Sequence, residues 1–341
     1  MKQILISIFI TVLLLSGCSS TDVRNDSETA TPITSIPAQT DMMELETDDN
    51  DEISFGWDTE NEDMDTFVYN GNTLSIPFKL GTKKATGHDI GFLVFIGGIQ
   101  QNYSVEFSDG TVTDESTMYR FKLTETEEKH FNILVNPSVG KKGEKLGIYV
   151  CSVLYPSFMP ENIDKPSYKG YHALSQVVPQ QVKFKADTKK QGKEAAYTED
   201  GLELSEDIIK SIKAFSSNSS KVDVEEKLKD NLCIDLCQKS IDETYITSEK
   251  GKVILHIRLY GGVDGIYRTT IFINHKPISV NGADYIQSEV KAATMSECEI
   301  VLDVSDYEKL NTIYAITVPA DDSYLTYMPA IKSKSVLLVN E

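Results

Sequence analysis

EKLGIYVCSV at 144–153 returns as EKLNTIYAITV at 308–318. Both stretches are short, rich in Ile, Val and Tyr, and bounded by polar residues, the pattern of a β-strand. Each is followed by an aromatic-Met-Pro triplet, Phe158-Met159-Pro160 and Tyr327-Met328-Pro329. Working toward the N-terminus, FLVFIGGI at 92–99 has a counterpart in TTIFINHKPI at 269–278, and TFVYNGNTLSIPFKLG from Thr66 has one in TYITSEKGKVILHIRLYGG from Thr244. Toward the C-terminus, QVKFK at 181–185 corresponds to KSVLLVN at 334–340. The blocks keep their order, so the chain carries two copies of one β module, too few for a solenoid.

Further strands are expected at 73–79, 91–96, 102–107, 118–123, 130–135, 146–154 and 181–185, with Asp109-Gly110 as a hairpin signal. No long helical pattern interrupts them, which points to a β-sandwich. The modules resemble the immunoglobulin-like β-sandwiches found in tandem on bacterial surface lipoproteins, over residues 66–185 and 243–341. The resemblance rests on strand count and block order, since neither stretch holds the Cys, Trp, Cys set of antibody domains.

Between the copies, residues 186–242 read as a linker with one or two amphipathic helices. SEDIIKSIKAF places Ile208, Ile209, Ile212 and Phe215 on one helical face, with Ser205 as a cap and Glu206 and Asp207 at the positive end. Val224, Leu228, Leu232 and Leu236 suggest a second helix, and the apolar stripes are expected at the junction between the sandwiches.

The N-terminus carries a different message. Lys2 precedes a largely apolar run from Ile4 to Leu15, which is too short to span a bilayer. Leu15-Ser16-Gly17-Cys18 then resembles the lipobox of bacterial lipoprotein signal peptides. That resemblance implies removal of residues 1–17 and a diacylglycerol on Cys18, whose two acyl chains suffice for stable anchoring. The expected location is the extracellular face of the bacterial cytoplasmic membrane, with the membrane as a partner through the lipid.

The formal net charge is −19, from 33 Lys and Arg against 52 Asp and Glu. Such a balance argues against a nucleic-acid partner, because phosphate recognition requires clustered cations. The charge is concentrated between residues 19 and 66, where 15 acids meet the single base Arg24. Residues 18–65 therefore read as a disordered acidic stalk that holds the folded part away from the surface. Asp48-Asp49-Asn50-Asp51-Glu52 lacks the spacing and glycine of a calcium loop. Trp57, the one tryptophan, is expected to fold back on the first module.

Chemistry is sparse. There is no HExxH, GxSxG, phosphate-cradling loop or dinucleotide fingerprint. The expectation is a protein with no catalytic residues, no cofactor and no metal site. Apart from Cys18, the cysteines Cys151, Cys233, Cys237 and Cys298 read as buried free thiols, with a metal or redox pair as the alternative for Cys233 and Cys237. Binding residues are sought in the loop YPSFMPENIDKPSYKGYHALSQVVP at 155–179, where Tyr155, Phe158, Tyr168 and Tyr171 supply aromatic contact area, and in its counterpart with Tyr324 and Tyr327. These aromatics could instead cover a sandwich edge or pack on the other module. The functional expectation is a non-catalytic surface module that binds or adheres to an extracellular protein or glycan, or serves a membrane assembly. A structural spacer and a wall-directed hydrolase are the alternatives.

Overall fold

The computed structural model of the protein describes residues 52–59, 66–84, 87–168, 170–177, 179–189, 193–214, 223–229, 231–262, 264–320 and 330–341. Cys18, the signal segment and most of the acidic stalk lie outside these residues, as do Tyr324 and Tyr327.

The first half contributes β1 (Glu52–Trp57), β2 (Thr66–Tyr69), β3 (Leu74–Lys83), β4 (Asp89–Ile96), β5 (Ile99–Gln101), β6 (Tyr103–Phe107), β7 (Tyr119–Lys122), β8 (Thr126–Val135), β9 (Lys145–Leu154), β10 (Leu174–Gln176) and β11 (Gln180–Phe184). The second contributes β12 (Ala195–Tyr197), β13 (Glu199–Leu202), α1 (Glu206–Ala214), α2 (Val224–Leu228), β14 (Leu232–Cys237), β15 (Tyr245–Thr247), β16 (Lys252–Gly261), β17 (Gly265–Ile273), β18 (Lys276–Ile278), β19 (Tyr285–Val290), β20 (Thr294–Asp303), β21 (Leu310–Pro319), β22 (Ile331–Lys332) and β23 (Val336–Val339).

These strands form two β-sandwiches. In the first, the sheet β1-β3-β8-β6 faces a sheet ordered β2-β11-β9-β4-β5, with β7 also on β4 and β10 also on β9. In the second, β13-β20-β16-β14 faces β12-β19-β17-β21-β23-β15, with β18 also on β17 and β22 also on β21. The repeat extends to pairing detail. An edge strand pairs in parallel with the closing strand in both halves, β2 with β11 and β15 with β23.

The cores follow from strand period. β3 alternates buried and less buried positions, so Leu74, Ile76, Phe78 and Leu80 point inward with Phe92, Phe131 and Ile133. Val253, Leu255, Ile257 and Leu259 do the same on β16, against Ile286, Ile300 and Ile313. β4, β9, β17 and β21 behave differently: most of their residues are buried on both faces. Their outer faces meet each other, and this contact joins the modules.

Two stretches fold otherwise than expected. Residues 52–57, assigned to the stalk, form β1 and pair with β3 from Glu52↔Lys83 to Trp57↔Phe78. Three apolar side chains at alternate positions, Ile53, Phe55 and Trp57, pack on the first core and outweigh the acidity around them. Trp57 does fold back, with its ring edge-on to Phe67 and Phe78.

The expected linker is built into the second sandwich. It supplies β12 alongside β19, β13 alongside β20 and β14 alongside β16. Leu232 and Leu236, read as helical, lie on β14, and α2 ends at Leu228. Asp223 caps α2 by accepting from the Glu225 and Glu226 amides at 3.0 and 3.3 Å. α1 packs through Ile208 and Ile212 onto Leu228, Tyr260 and Met295, on the outer face of the β16–β20 sheet and away from the junction. Arg258 pins it there by donating to Asp207 at 2.9 Å.

On β14, Cys233 and Cys237 are four residues apart along a strand, roughly 13 Å. They cannot bond to each other, and Cys151, Cys233, Cys237 and Cys298 are all free thiols. Burial pushes Cys233 and Cys237 up to about 12.

Candidate functional site

The site begins with two turns. The hairpins β4–β5 and β17–β18 occupy the same place in the two modules, and both turn through two residues of positive φ: Gly97 and Gly98 at 54° and 73°, Asn274 and His275 at 51° and 63°. Two consecutive positive φ values make the tight primed turn favoured in hairpins. Each turn reaches the other module. The Gly97 carbonyl accepts from Arg268 Nη1 at 2.6 Å, while His275 Nε2 lies 2.7 Å from the Pro156 carbonyl.

His275 is 4 % exposed, and its proton positions follow from its neighbours. A carbonyl only accepts, so Nε2 carries the hydrogen. Nδ1 of the neutral ring then accepts from the Tyr314 hydroxyl at 2.9 Å. Burial, helped by Arg120 and Lys332, holds the imidazole down at about 4.

Between the turns the sheets meet in an apolar layer. Leu93, Phe95, Tyr149, Cys151 and Val153 come from the first module, and Phe272, Tyr314, Ile316, Val318 and Ala330 from the second. Tyr149 and Tyr314 hold equivalent places in the two copies, as do Phe95 and Phe272. The modules thus pack through like surfaces, as the protomers of a two-fold dimer do.

The aromatic loop seals one side of this contact. Tyr168 is buried against Leu337 and Val339 of the second module and shares a 2.8 Å hydrogen bond with Thr312 Oγ1. Phe158 stacks on Tyr171 with ring centroids 3.8 Å apart, and Tyr155 meets Tyr171 edge-on. Phe158, Tyr168 and Tyr171 therefore pack at a junction within the chain, and Tyr155 joins them through Tyr171. Beside them Lys332 lies over the Tyr314 ring at 4.5 Å and donates to Ser333 O and Ser335 Oγ. Burial holds its ammonium down at about 7.

On the other side the junction opens into a cleft of about 640 Å³, a size typical of small-ligand sites, roughly 300–1,000 Å³. The first module lines it with Gln100, Gln101, Asn102, Ser138 and the segment from Glu115 to Met118, together with Arg120; the second lines it with Asn274 to Pro277; Lys193 stands between.

Several of these groups are committed to the fold. Gln101 Oε1 accepts from Ser138 N and Oγ, and Asn274 bridges Asn311 and the Thr312 amide. Gln100 is different: it is 2 % exposed, its amide nitrogen donates to Gln101 O, and its Oε1 has no hydrogen-bond partner. A buried acceptor left unpaired costs about 1–3 kcal/mol, and this oxygen is closed off from the open cleft.

Sequence reasoning looked to the aromatic loop and passed over Gln100, Arg120 and the Asn274-His275 turn. The available signal was the shared FIGG and FINH turn pair, which marks backbone brought close to something else. Among the described residues, no three His, Cys, Asp or Glu side chains gather as a metal site, and no helix is long and apolar enough to cross a membrane.

No protein-family profile and no curated protein sequence matches the chain. Among solved structures, similarity is found to a chaperone and tip-adhesion subunit complex of Acinetobacter baumannii Csu pili, at 11 % identity and TM-score 0.18 over 81 % of this chain and 95 % of that one. A Salmonella enterica SafA pilin with its SafB chaperone is similar at 9 % identity and TM-score 0.19, over 84 % and 95 %. A PapD-like domain of human CEP192 is similar at 11 % identity and TM-score 0.20, over 50 % and 100 %. At these scores the assignment to immunoglobulin-like sandwiches stands on the sheets described above.

Proposed function

We propose that this chain is a non-catalytic binding module, held on the outer face of a bacterial cytoplasmic membrane by a diacylglycerol on Cys18, with the cleft between its sandwiches as the ligand site. The observation that carries this reading is the composition of the cleft. Both modules contribute to it, and each sets an exposed cation in its wall, Arg120 from the first and Lys276 from the second. A protein that served only as a spacer would gain nothing from either feature. A wall-directed hydrolase of the common kind places two carboxyl groups across the scissile bond, whereas Glu115 is the one carboxylate lining this cleft among the described residues.

The test uses the full chain and a Thr117→Trp variant that fills the cleft. Retention of cell-envelope material by the wild type, lost in the variant at unchanged melting temperature, supports the reading. Equal retention by both moves the binding surface elsewhere, and no retention by either favours a spacer. For the anchor, labelled fatty acid is expected on the wild type and absent from Cys18→Ala; incorporation into the variant overturns lipidation at Cys18.

A further inference from the structure

We infer that the cleft takes a small dianion, a ligand whose two negative charges lie on acceptor oxygens and are answered by Arg120 of the first module and Lys276 of the second. This rests on the cleft being the ligand site, and it follows from which of the lining groups have bonding capacity left. Glu115 and Lys193 line the cleft but already have partners. Arg120 on β7 and Lys276 on β18 are exposed, and their side chains make no hydrogen bond or ion pair with any described residue.

The side-chain amide oxygens that line the cleft are occupied. Gln101 Oε1 accepts from Ser138 N and Oγ, Asn274 Oδ1 from the Thr312 amide at 2.9 Å, and Asn102 Oδ1 from Thr117 Oγ1 at 3.2 Å. The last of these bonds leaves Asn102 with its amide hydrogens. An ammonium and a guanidinium only donate, so the open capacity consists mainly of N–H groups. A ligand that matches both walls is therefore an acceptor, and a charged acceptor makes bonds roughly twice as strong as a neutral one.

Charge narrows the class further. The chain carries many more acids than bases, yet these two cations stand without a counter-ion among the described residues. They sit in a concave wall, where the field of like charges is focused on the space between them. Arg120 lies near enough to His275 and Tyr314 of the second module to influence both, and Lys276 directly follows His275, so the two charges act on one space. A monoanion answers one of them; a dianion answers both and ties the modules together. Met118 and Pro277 are the only apolar side chains in the lining, and at about 640 Å³ the cleft suits a small polar molecule. The guanidinium fork accommodates a carboxylate or a phosphate group.

The experiment is calorimetric titration of the full chain at pH 7.5 with two dianions, succinate and glycerol phosphate. Each is paired with a monoanion of similar shape: succinamate, in which an amide replaces one carboxylate, and the methyl diester of glycerol phosphate. The tighter dianion tells a pair of carboxylates from a phosphate ester as the source of the charge. It is expected to bind at least tenfold more tightly than its monoanionic counterpart, and to weaken as salt is raised. Arg120→Gln and Lys276→Gln should each abolish that tenfold advantage at unchanged melting temperature. Equal binding of dianion and monoanion by the wild type overturns the inference. So does an advantage that survives in either variant, or the absence of binding by both dianions. These failures remain distinct from failure of the cleft itself, because Thr117→Trp still reports whether envelope material is retained there.

Discussion

Lys332 ends in a place that a lysine seldom occupies, over the Tyr314 ring and between Ser333 and Ser335, with its ammonium held down at about 7 by burial. In the unfolded chain it titrates near 10.5. The fold therefore favours the neutral amine, and the associated stability is present above about pH 10.5 and lost as pH falls toward 7. Lys332→Met removes the buried cation and keeps the chain length, so the variant should melt higher than the wild type at pH 7, with the gap narrowing toward pH 9. Reading the difference between the two proteins cancels the buried tyrosines and thiols, whose raised values act on both alike. His275 gives the complementary case. Its folded value of about 4 lies below the ordinary 6.5, so stability is complete above pH 6.5 and declines as pH falls toward 4. His275→Asn keeps a residue that tolerates positive φ and discards the titration. Its melting temperature should be lower than that of the wild type at pH 7.5 and should fall less between pH 7 and pH 5; an unchanged slope would assign the acid sensitivity to other groups.

At the scale of elements, the hairpin turns decide how close the modules come. A Cβ on Gly98 would lie 3.1 Å from the Pro319 carbonyl oxygen and 3.2 Å from that of Val318, while one on Gly110 would meet nothing within 4 Å. Both glycines have positive φ, so alanine at either carries the left-handed penalty of roughly 1–2 kcal/mol. Gly98→Ala alone should add the cost of pushing the modules apart, and denaturant unfolding should place it clearly below Gly110→Ala. Equal losses would mean that the junction has slack at this turn. Most strands were legible because alternation and turn residues are local signals: TLSIPFK and HFNILV pair as β3 and β8, and the second copy repeats them. The 186–242 stretch was misread because a strand edge and a helix stripe can both be written with leucines four apart. Leu232 and Leu236 satisfy either, and only the pairing of β14 with β16 decides between them. The cleft was illegible for a related reason. Gln100 and Arg120 are brought opposite Asn274 and Lys276 by the docking of sandwiches, and no spacing along the chain encodes it.

At the scale of the whole molecule, the unbroken apolar runs GFLVFI and LGIYVCSVL carry more than strand character. A strand in an isolated sandwich buries one face; these bury two, and the second face is the partner module. Leu93, Phe95, Phe272 and Ile316 are each fully buried there, and burial of such a side chain contributes roughly 1.5–3 kcal/mol. Several of them together exceed what two weakly linked domains would share. The sandwiches should therefore unfold as one cooperative unit, giving a single calorimetric transition whose van't Hoff and measured enthalpies agree. Phe95→Asp places a charge without a counter-ion in the layer and should split that transition into two. It should also abolish ligand retention although no cleft residue is altered, because the walls of the cleft come from different modules. Two transitions in the wild type would show that each sandwich stands alone, and a single transition in Phe95→Asp would show that the sandwiches stay coupled without this layer. Retention surviving a split transition would place the ligand on one module.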